Sequence, residues 1–282
     1  MLGFGAMEIR TVHANGVEFA YLSLGDGPLA LCLHGFPDTA HTWRHLMPEL
    51  AARGYRAVAP FMRGYAPTEV PVGFEVGALV ADVHALHEEL GGDSDAVLIG
   101  HDWGALAVYG AADRFRRSVA MAAPPPAALV PGFFSYAQLK RSFYVFLFQT
   151  GLAEIAASQP DFLPGIWADW SPGYDATADL EFVRRSLGEP ANLKAALEYY
   201  RARLGAEPPT GRFTAEQAAA DAGPTAPLLY LHGERDGCMG AELTKDMSLP
   251  EGSRVELLPD AGHFLHLERP REVNELVLGW IS

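Results

Sequence analysis

Cysteine is scarce in this 282-residue sequence, which contains only Cys32 and Cys238. Cys32 falls in an apolar stretch that we interpret as a core strand, and Cys238 follows a polar turn much later in the chain. Two cysteines placed so differently do not make the disulfide framework of a small secreted domain. The composition therefore indicates a reducing compartment, and we predict a cytoplasmic protein.

Positive charge and long apolar runs are scarce as well. Lys and Arg number 21 against 35 Asp and Glu, which gives a formal net charge of −14. Because contacts to nucleic acid phosphates need clustered Lys and Arg, we expect no nucleic acid partner. No run is long enough to span a membrane, and Met1–Met7 lacks the basic and apolar parts of a signal peptide. These features predict a globular protein without membrane insertion.

The sequence also lacks the usual marks of a cofactor or metal site. It has no glycine loop of the kind that cradles phosphate and no dinucleotide fingerprint. His41 with His45, and His84 with His87, have helical spacing, but neither pair has the carboxylate and third ligand of a zinc site. We therefore expect neither a cofactor nor a metal.

The most informative stretch that is present is the glycine-flanked run Gly100–Gly104, with the sequence G-H-D-W-G. An apolar strand is predicted before it, over 95–100, and a helix of small residues after it, over 105–112. Asp102 would then occupy the tip of a strand-to-helix turn, the nucleophile elbow, with aspartate in place of serine. The glycines suit a turn in which backbone and helix lie too close for larger side chains. The motif by itself also fits an ordinary surface turn.

Two further polar residues follow predicted strands near the end of the chain. Asp236 comes after the strand at 227–232, and His263 after the strand at 254–258. The chain order of nucleophile, acid and histidine is that of the α/β-hydrolase triad. Taken singly, Asp236 also fits an Asx-turn and His263 a packing histidine. Asp260 is the other candidate for the acid.

A loop near residue 35 completes the candidate site. The apolar strand at 29–33 runs into His34-Gly35-Phe36-Pro37. The backbone N–H groups of Phe36 and Trp103 would point into one small volume and form an oxyanion hole. We also expect His34, Phe36, Pro37 and Trp103 to contact the substrate. The alternative is a simple turn forced by glycine and proline.

The order of predicted elements indicates an α/β fold. Strands near 29–33, 55–59, 95–100, 118–122, 227–232 and 254–258 alternate with helices, which predicts a mostly parallel sheet covered on both faces. A hairpin-like segment at 17–22 and 25–28 precedes them. We predict a core at 1–123 and 225–282 and an inserted helical, aromatic-rich cap at 124–224. Asp82, Glu88 and Glu89 are interpreted as a solvated helix face.

These motifs resemble those of the α/β-hydrolase superfamily and, within it, the epoxide hydrolases. The resemblance extends over nearly the whole chain. It rests on the H-G-x-P loop at 34–37, the G-H-D-W-G elbow, Arg63-Gly-Tyr65 and Ala261-Gly-His-Phe264. The sequence departs from the family at Phe61, where many relatives carry Asp after the proline.

The resemblance implies an activity and roles for individual residues. Asp102 would open an apolar epoxide by forming an alkyl ester, and His263, oriented by Asp236, would activate the water that hydrolyses this ester to release a vicinal diol. The family's two cap tyrosines, which donate hydrogen bonds to the epoxide oxygen, correspond to Tyr144 and Tyr200. Tyr200 directly precedes an arginine, as in the family. Tyr136 and Tyr199 are the rival candidates.

Two other functions remain open at this level. A haloalkane or haloacid dehalogenase would use the same Asp102, with Trp103 and either Trp167 or Trp170 holding the halide. Phe36 is not the asparagine that resembling dehalogenases often use for this purpose. A non-catalytic α/β-hydrolase-like receptor for small molecules is the third possibility. The expected partners are a small apolar epoxide and water, and the expected assembly is a monomer or a homodimer.

Overall fold

The computed structural model describes residues 8–205, 211–245 and 247–282. Met1–Met7, the segment weighed above as a signal peptide, lies outside these residues. The described strands form one sheet in the order β1-β2-β4-β3-β5-β6-β7-β8. The strands are β1 (Ile9–Ala14), β2 (Val17–Leu24), β3 (Leu29–Leu33), β4 (Arg56–Pro60), β5 (Val97–His101), β6 (Arg117–Met121), β7 (Leu228–Gly233) and β8 (Arg254–Leu258).

Helices cover both faces of the sheet and fill the interval between β6 and β7. The α-helices are α1 (Leu46–Ala52), α2 (Val76–Glu89), α3 (Trp103–Ala111), α4 (Pro126–Phe133), α5 (Tyr136–Arg141), α6 (Phe143–Leu147), α7 (Ala153–Ala157), α8 (Phe162–Trp170), α9 (Thr177–Leu187), α10 (Pro190–Leu204), α11 (Thr214–Ala222), α12 (Leu265–Glu268) and α13 (Pro270–Ile281). Short 3₁₀ helices lie at Ala40–His45, Ala112–Arg114 and Ala241–Thr244. Within the described ranges, no helix is both long and apolar enough to cross a bilayer.

The sheet confirms the predicted α/β fold. Strands β3 to β8 run parallel, and β2 pairs antiparallel with both β1 and β4. The central strands β3, β5 and β7 are buried along their whole length. Burial on both faces explains why these strands are continuous apolar runs rather than alternating patterns. The carboxyl ends of β5, β7 and β8 meet at one edge of the sheet, where the candidate site lies.

The predicted N-terminal hairpin is wrong in its details. The hairpin pairs β1 with β2, and its turn is Asn15-Gly16, with φ of 49° and 75°. Both residues have positive φ, as the tightest hairpin turns require, and Asn-Gly is the dipeptide that best accepts it. Residues 25–28 instead form the connection from β2 to β3.

The predicted solvated face of α2 is correct for Glu88 and Glu89, which are exposed, but wrong for Asp82. Asp82 is buried and accepts hydrogen bonds from Arg63 Nε at 2.6 Å and Nη2 at 2.5 Å. Asn15 Nδ2 donates to the same carboxylate at 2.8 Å. The pair satisfies two buried charges at once, and its arginine comes from a distant loop that the pattern of the helix does not reveal.

Between β6 and β7 the described residues contain helices and no strand, as predicted. The last of these helices, α11, packs against α2 and α3 on a face of the sheet. This packing favours assigning α11 to the core. The division into a core and a cap at 124–224 stays a prediction.

Candidate active site

Asp102 lies in the sharp turn between β5 and α3 with φ of 53° and ψ of −115°. This is a strained conformation for a residue with a side chain, and strain of this kind is concentrated at functional sites. A Cβ atom at Gly100 would overlap Gly104 O, and one at Gly104 would overlap Leu33 O. A Cβ atom at Gly35 would overlap the Asp102 carboxylate itself. The glycines are therefore needed for close approach, as the sequence predicts.

The loop after β3 turns its backbone toward this carboxylate. Phe36 N–H donates to Asp102 Oδ1 at 2.8 Å, and Trp103 N–H also hydrogen-bonds to Asp102. Two backbone donors thus converge on the carboxylate of Asp102. Such fixed donors are suited to holding negative charge that develops on this group.

His34 holds this loop in place. Its Nδ1–H donates to Gly35 O at 2.8 Å, and its Nε2 accepts the Met62 N–H at 3.0 Å. Burial lowers the pKa of His34 to about 4, so the ring is neutral and Nε2 can accept a hydrogen bond.

His263 is positioned by Asp236. His263 Nδ1 lies 2.9 Å from Asp236 Oδ2, while Asp236 Oδ1 accepts the N–H groups of Cys238 at 2.7 Å and Met239 at 2.9 Å. The rival acid Asp260 instead lies on the surface, 3.7 Å from Arg269. The loops after β7 and β8 meet because these parallel strands are neighbours in the sheet.

The other ring nitrogen of His263 faces the nucleophile candidate. His263 Nε2 is 3.8 Å from Asp102 Oδ2 and is buried without a hydrogen-bond partner among the described residues. His263 Nε2 therefore has no competing hydrogen bond among the described residues and faces the Asp102 carboxylate directly.

The loop that carries His263 is fastened by residues that sequence reasoning missed. His263 N–H donates to Trp170 O at 3.0 Å, and Phe264 N–H to Ser171 Oγ at 3.0 Å. Ser171 Oγ in turn donates to Glu268 Oε1 at 2.6 Å. No local motif in the sequence predicts these contacts, because they join the end of α8 to the start of α12.

Burial and charge act in opposite directions on the two central groups. Burial raises the pKa of Asp102, and the nearby His263 with the two backbone donors offsets only part of this, so the net pKa is raised. Burial lowers the pKa of His263, but the charge and hydrogen bond of Asp236, together with the charge of Asp102, outweigh it. The net pKa of His263 is therefore also raised.

Tyr144 on α6 and Tyr200 on α10 lie side by side, with ring centroids 5.6 Å apart, and both line the same cavity as Asp102. Burial raises the pKa of each hydroxyl well above its ordinary value, so both stay protonated. The rivals are placed elsewhere. Tyr199 OH donates to Arg63 O at 2.8 Å, and Tyr136 is 85% exposed.

The cavity over Asp102 has a volume of about 230 Å³ and extends to the exposed side chains of Val130 and Phe134. Its wall is mostly apolar, and Arg203 is the charged basic residue among those that line it. The lining residues are Asp102, Trp103, Leu106, Ala123, Leu129, Val130, Phe133, Phe134, Tyr144, Val145, Tyr200, Arg203, Leu204 and Met239. The sequence predicted Asp102, Trp103, Tyr144 and Tyr200 among these residues, whereas no motif marks the aliphatic members of the wall.

Of the four residues expected to contact substrate, only Trp103 lines the cavity. Both ring nitrogens of His34 are used on backbone groups. The Phe36 ring packs against Tyr200 at 5.3 Å, and the Pro37 carbonyl accepts Trp167 Nε1–H at 2.9 Å. These side chains support the loop, and it is the backbone of the loop that faces Asp102.

Two clusters of potential metal ligands occur among the described residues. One is Asp38, His101 and His266, and the other joins Cys238 to the pair Asp236 and His263. The histidine pairs weighed in the sequence belong to neither cluster. His41, for example, stacks on Phe182 with ring centroids 4.0 Å apart.

Comparison with known proteins places the chain in a family. The profile of the alpha/beta hydrolase family matches residues 30–276. Epoxide hydrolase 3 of Xenopus tropicalis is 34% identical over 289 residues, covering 95% of this chain and 76% of that protein. Epoxide hydrolase A of Mycobacterium tuberculosis is 32% identical over 322 residues, covering 99% and 98%. The structure of the Bacillus megaterium epoxide hydrolase in complex with an inhibitor is 26% identical, with a TM-score of 0.79 and coverage of 96% and 99%. The chain belongs to the alpha/beta hydrolase family.

Proposed function

We propose that the protein is an epoxide hydrolase that opens a small apolar epoxide to a vicinal diol through an ester on Asp102. The observation that carries the proposal is the placement of a carboxylate at the elbow, between the open nitrogen of His263 on one side and two protonated tyrosines on the other. The names of the relatives support the same activity.

In the first step, a carboxylate oxygen of Asp102 attacks one epoxide carbon and the bond from that carbon to the ring oxygen breaks. An ionised aspartate needs no base for this attack, whereas a serine would. The ring oxygen leaves as an alkoxide, which is a poor leaving group. Tyr144 and Tyr200 donate hydrogen bonds to it and supply its proton, the role of a general acid.

In the second step, His263 Nε2 takes a proton from water, and the resulting hydroxide attacks the Asp102 carbonyl carbon. The tetrahedral oxyanion then forms on the side chain of Asp102 and faces the N–H groups of Phe36 and Trp103. Collapse breaks the bond between the Asp102 carbonyl carbon and the diol oxygen. The diol oxygen takes the proton of the newly added hydroxyl, which leaves Asp102 ionised, and the proton on His263 restores the tyrosine that gave up its proton in the first step. Asp236 fixes the imidazole and stabilises its charged form.

The alternative activities fit the site less well. A halide site would need a second N–H donor beside Trp103, either Trp167 or Trp170. Trp167 Nε1–H already donates to Pro37 O, and Trp170 is not among the residues that line the cavity over Asp102. Phe36 offers no side-chain amide for this purpose. A receptor would bind its ligand without turnover, and the protonated donors facing a carboxylate favour an enzyme over a receptor.

The surroundings of the enzyme also belong to this proposal. We infer a cytoplasmic protein because both cysteines are free and buried, and a monomer or homodimer that takes epoxide and water without a cofactor. Residues of the predicted cap, Tyr144 and Tyr200 among them, would cover the core's catalytic groups. Size measurement in solution tests the assembly.

One experiment tests the mechanism directly. The protein is given less than one equivalent of an epoxide in water enriched in heavy oxygen, beside a panel of haloalkanes and haloacids. We expect diol without halide release, and heavy oxygen in the peptide that contains Asp102, because water attacks the protein's own acyl carbon. Heavy oxygen found only in the diol, with Asp102 unlabelled, would overturn the proposal.

A further inference from the structure

Cys238 occupies a fixed position beside the candidate acid. Its backbone N–H donates to Asp236 Oδ1 at 2.7 Å, and its carbonyl accepts Gln138 Nε2–H at 2.8 Å. Gln138 Oε1 also accepts the Gly240 N–H at 3.1 Å. The loop is thus held from both sides by buried hydrogen bonds, which leaves the thiol little freedom to move.

The thiol of Cys238 contacts the hydroxyl of Tyr144, with Sγ and Oη 3.3 Å apart. Both side chains are buried, with 0% and 1% of their surfaces exposed. The segment that carries Tyr144 is tied to the same glutamine, because Gln138 Nε2 also donates to Ser142 Oγ at 2.9 Å. Gln138 therefore fixes both partners of the sulfur–oxygen contact.

Each of the two groups carries one hydrogen, and only one hydrogen can lie between sulfur and oxygen. Burial raises the pKa of both Tyr144 and Cys238, so neither loses its proton near neutral pH. If the thiol donates, the tyrosine hydrogen is left to point toward the cavity. If the hydroxyl donates, it does so to sulfur, which is a weak acceptor that an epoxide oxygen can replace.

We propose that Cys238 is a positioning residue for Tyr144 in the ring-opening step. This inference rests on the proposed function. When the epoxide oxygen accepts the Tyr144 hydrogen, the Cys238 S–H donates to Tyr144 Oη. A chain of two hydrogen bonds polarises both of its members, so the thiol strengthens the donor as negative charge grows on the leaving oxygen.

The second candidate donor lacks this arrangement. Tyr200 packs its ring against Trp103 at 5.0 Å and against Phe36 at 5.3 Å, and its hydroxyl hydrogen-bonds with Trp103. Removing the thiol should therefore act on ester formation through Tyr144. An effect through Asp236 and His263, whose ligand atoms lie within 4.8 Å of the thiol, would appear in ester hydrolysis instead.

The test compares Cys238→Ala with Cys238→Ser, which restores an O–H donor. The matched control is Cys32→Ala, which removes the other buried cysteine from β3 and leaves the site untouched. Single-turnover tryptophan fluorescence and quenched-flow trapping separate ester formation from ester hydrolysis. We expect Cys238→Ala to slow ester formation about fivefold, as for loss of one neutral hydrogen bond. Cys238→Ser and Cys32→Ala should form the ester at a rate within about twofold of the parent protein. The rate of ester hydrolysis should change by less than about twofold in all three variants, because the groups that activate water are not substituted.

A Tyr144→Phe background supplies the decisive comparison. There Cys238→Ala should have no further effect on ester formation. Equal slowing in both backgrounds, or slowing of ester hydrolysis instead, would show a general effect on the loop and would overturn the inference. If Cys238→Ala does not fold, Cys238→Val takes its place, because valine fills the space without a donor.

The inference and the proposed function fail in different ways. If the parent protein forms no ester with any epoxide, both are wrong. If the ester forms and Tyr144→Phe slows it, but Cys238→Ala forms it at the parent rate, only the inference is wrong.

Discussion

The two halves of the candidate site are held by different kinds of contact. On the core side, backbone N–H groups fix the carboxylates of Asp102 and Asp236. On the cap side, side chains hold side chains, with Tyr144 against the Cys238 thiol and Tyr200 against aromatic rings. Backbone contacts follow from strand ends and turns, whereas contacts between side chains depend on how the helices pack.

This difference should have a kinetic counterpart. In the proposed mechanism, the core half supplies the nucleophile and the groups that hydrolyse the ester, while the predicted cap supplies donors to the leaving oxygen. Changes to His263 or Asp236, which act on water, should slow ester hydrolysis. Changes to Tyr144, Tyr200 or the Cys238 thiol that contacts Tyr144 should slow ester formation. Measuring the two steps separately can therefore confirm or break the division.

His263→Gln should give the largest effect. Without its general base the ester forms but is hydrolysed on the order of 10⁵-fold more slowly, in line with the loss of a triad histidine. Intact-protein mass spectrometry after mixing with substrate should show one added substrate mass on the peptide that contains Asp102.

The matched control for this variant is His266→Gln, a buried histidine three residues further along that does not contact the carboxylate of Asp102. It should turn over without accumulating an adduct. An epoxide that the parent protein turns over but that leaves no mass on the His263→Gln variant would contradict the assignment of the nucleophile.

Asp236→Asn should be the next largest change. The amide of asparagine can donate a hydrogen bond to His263 Nδ1 and so favours the tautomer in which Nε2 carries the hydrogen. In this tautomer Nε2 cannot accept a proton from water. We expect ester hydrolysis to fall about 10⁴-fold, with ester formation close to the parent rate. Rapid-quench measurement of both steps checks this. Asp260→Asn serves as the control, and a comparable loss there would transfer the acid role to Asp260.

Tyr144→Phe and Tyr200→Phe test the cap half. Each should slow ester formation by roughly 100-fold, because each removes one donor to the leaving oxygen, and the double variant should be slower still. Tyr199→Phe is the matched control, since its hydroxyl donates to the backbone of Arg63. If either cap variant slowed ester formation and ester hydrolysis equally, the assignment of one step to each half of the site would be wrong.

The sequence predicted the core half of the site better than the cap half. The elbow, the acid and the histidine could be placed because glycines and strand ends mark them, and carboxyl ends of parallel strands meet at one edge. Tyr200 was found only through a family resemblance. The contact of Tyr144 with Cys238 joins residues 94 positions apart, and no local pattern encodes it. Asp82 was misjudged for the same reason, because its partner Arg63 lies in another element.

The smallest expected effect is a displacement of the pH dependence of ester hydrolysis, and it concerns the core half alone. In the free enzyme, burial lowers the pKa of His263, and the charge and hydrogen bond of Asp236 raise it. The negative charge of Asp102 raises this pKa further. The ester carries no charge at Asp102, so this contribution disappears and the pKa of His263 falls. Only neutral His263 can accept a proton from water. The hydrolysis rate should therefore decrease as the pH is lowered through the pKa of His263 in the ester.

That midpoint should lie below the one at which His263 titrates in the free enzyme, as followed by NMR of the imidazole ring. Asp102→Asn provides a control without chemistry, because it removes the same charge and should lower the midpoint in the same direction. Asp260→Asn, which alters a surface carboxylate near Arg269, should leave it where it was. A hydrolysis midpoint equal to or above that of the free enzyme would mean that the charge of Asp102 does not act on His263. The distance of 3.8 Å between His263 Nε2 and Asp102 Oδ2 would then not correspond to an electrostatic interaction that affects the pKa of His263.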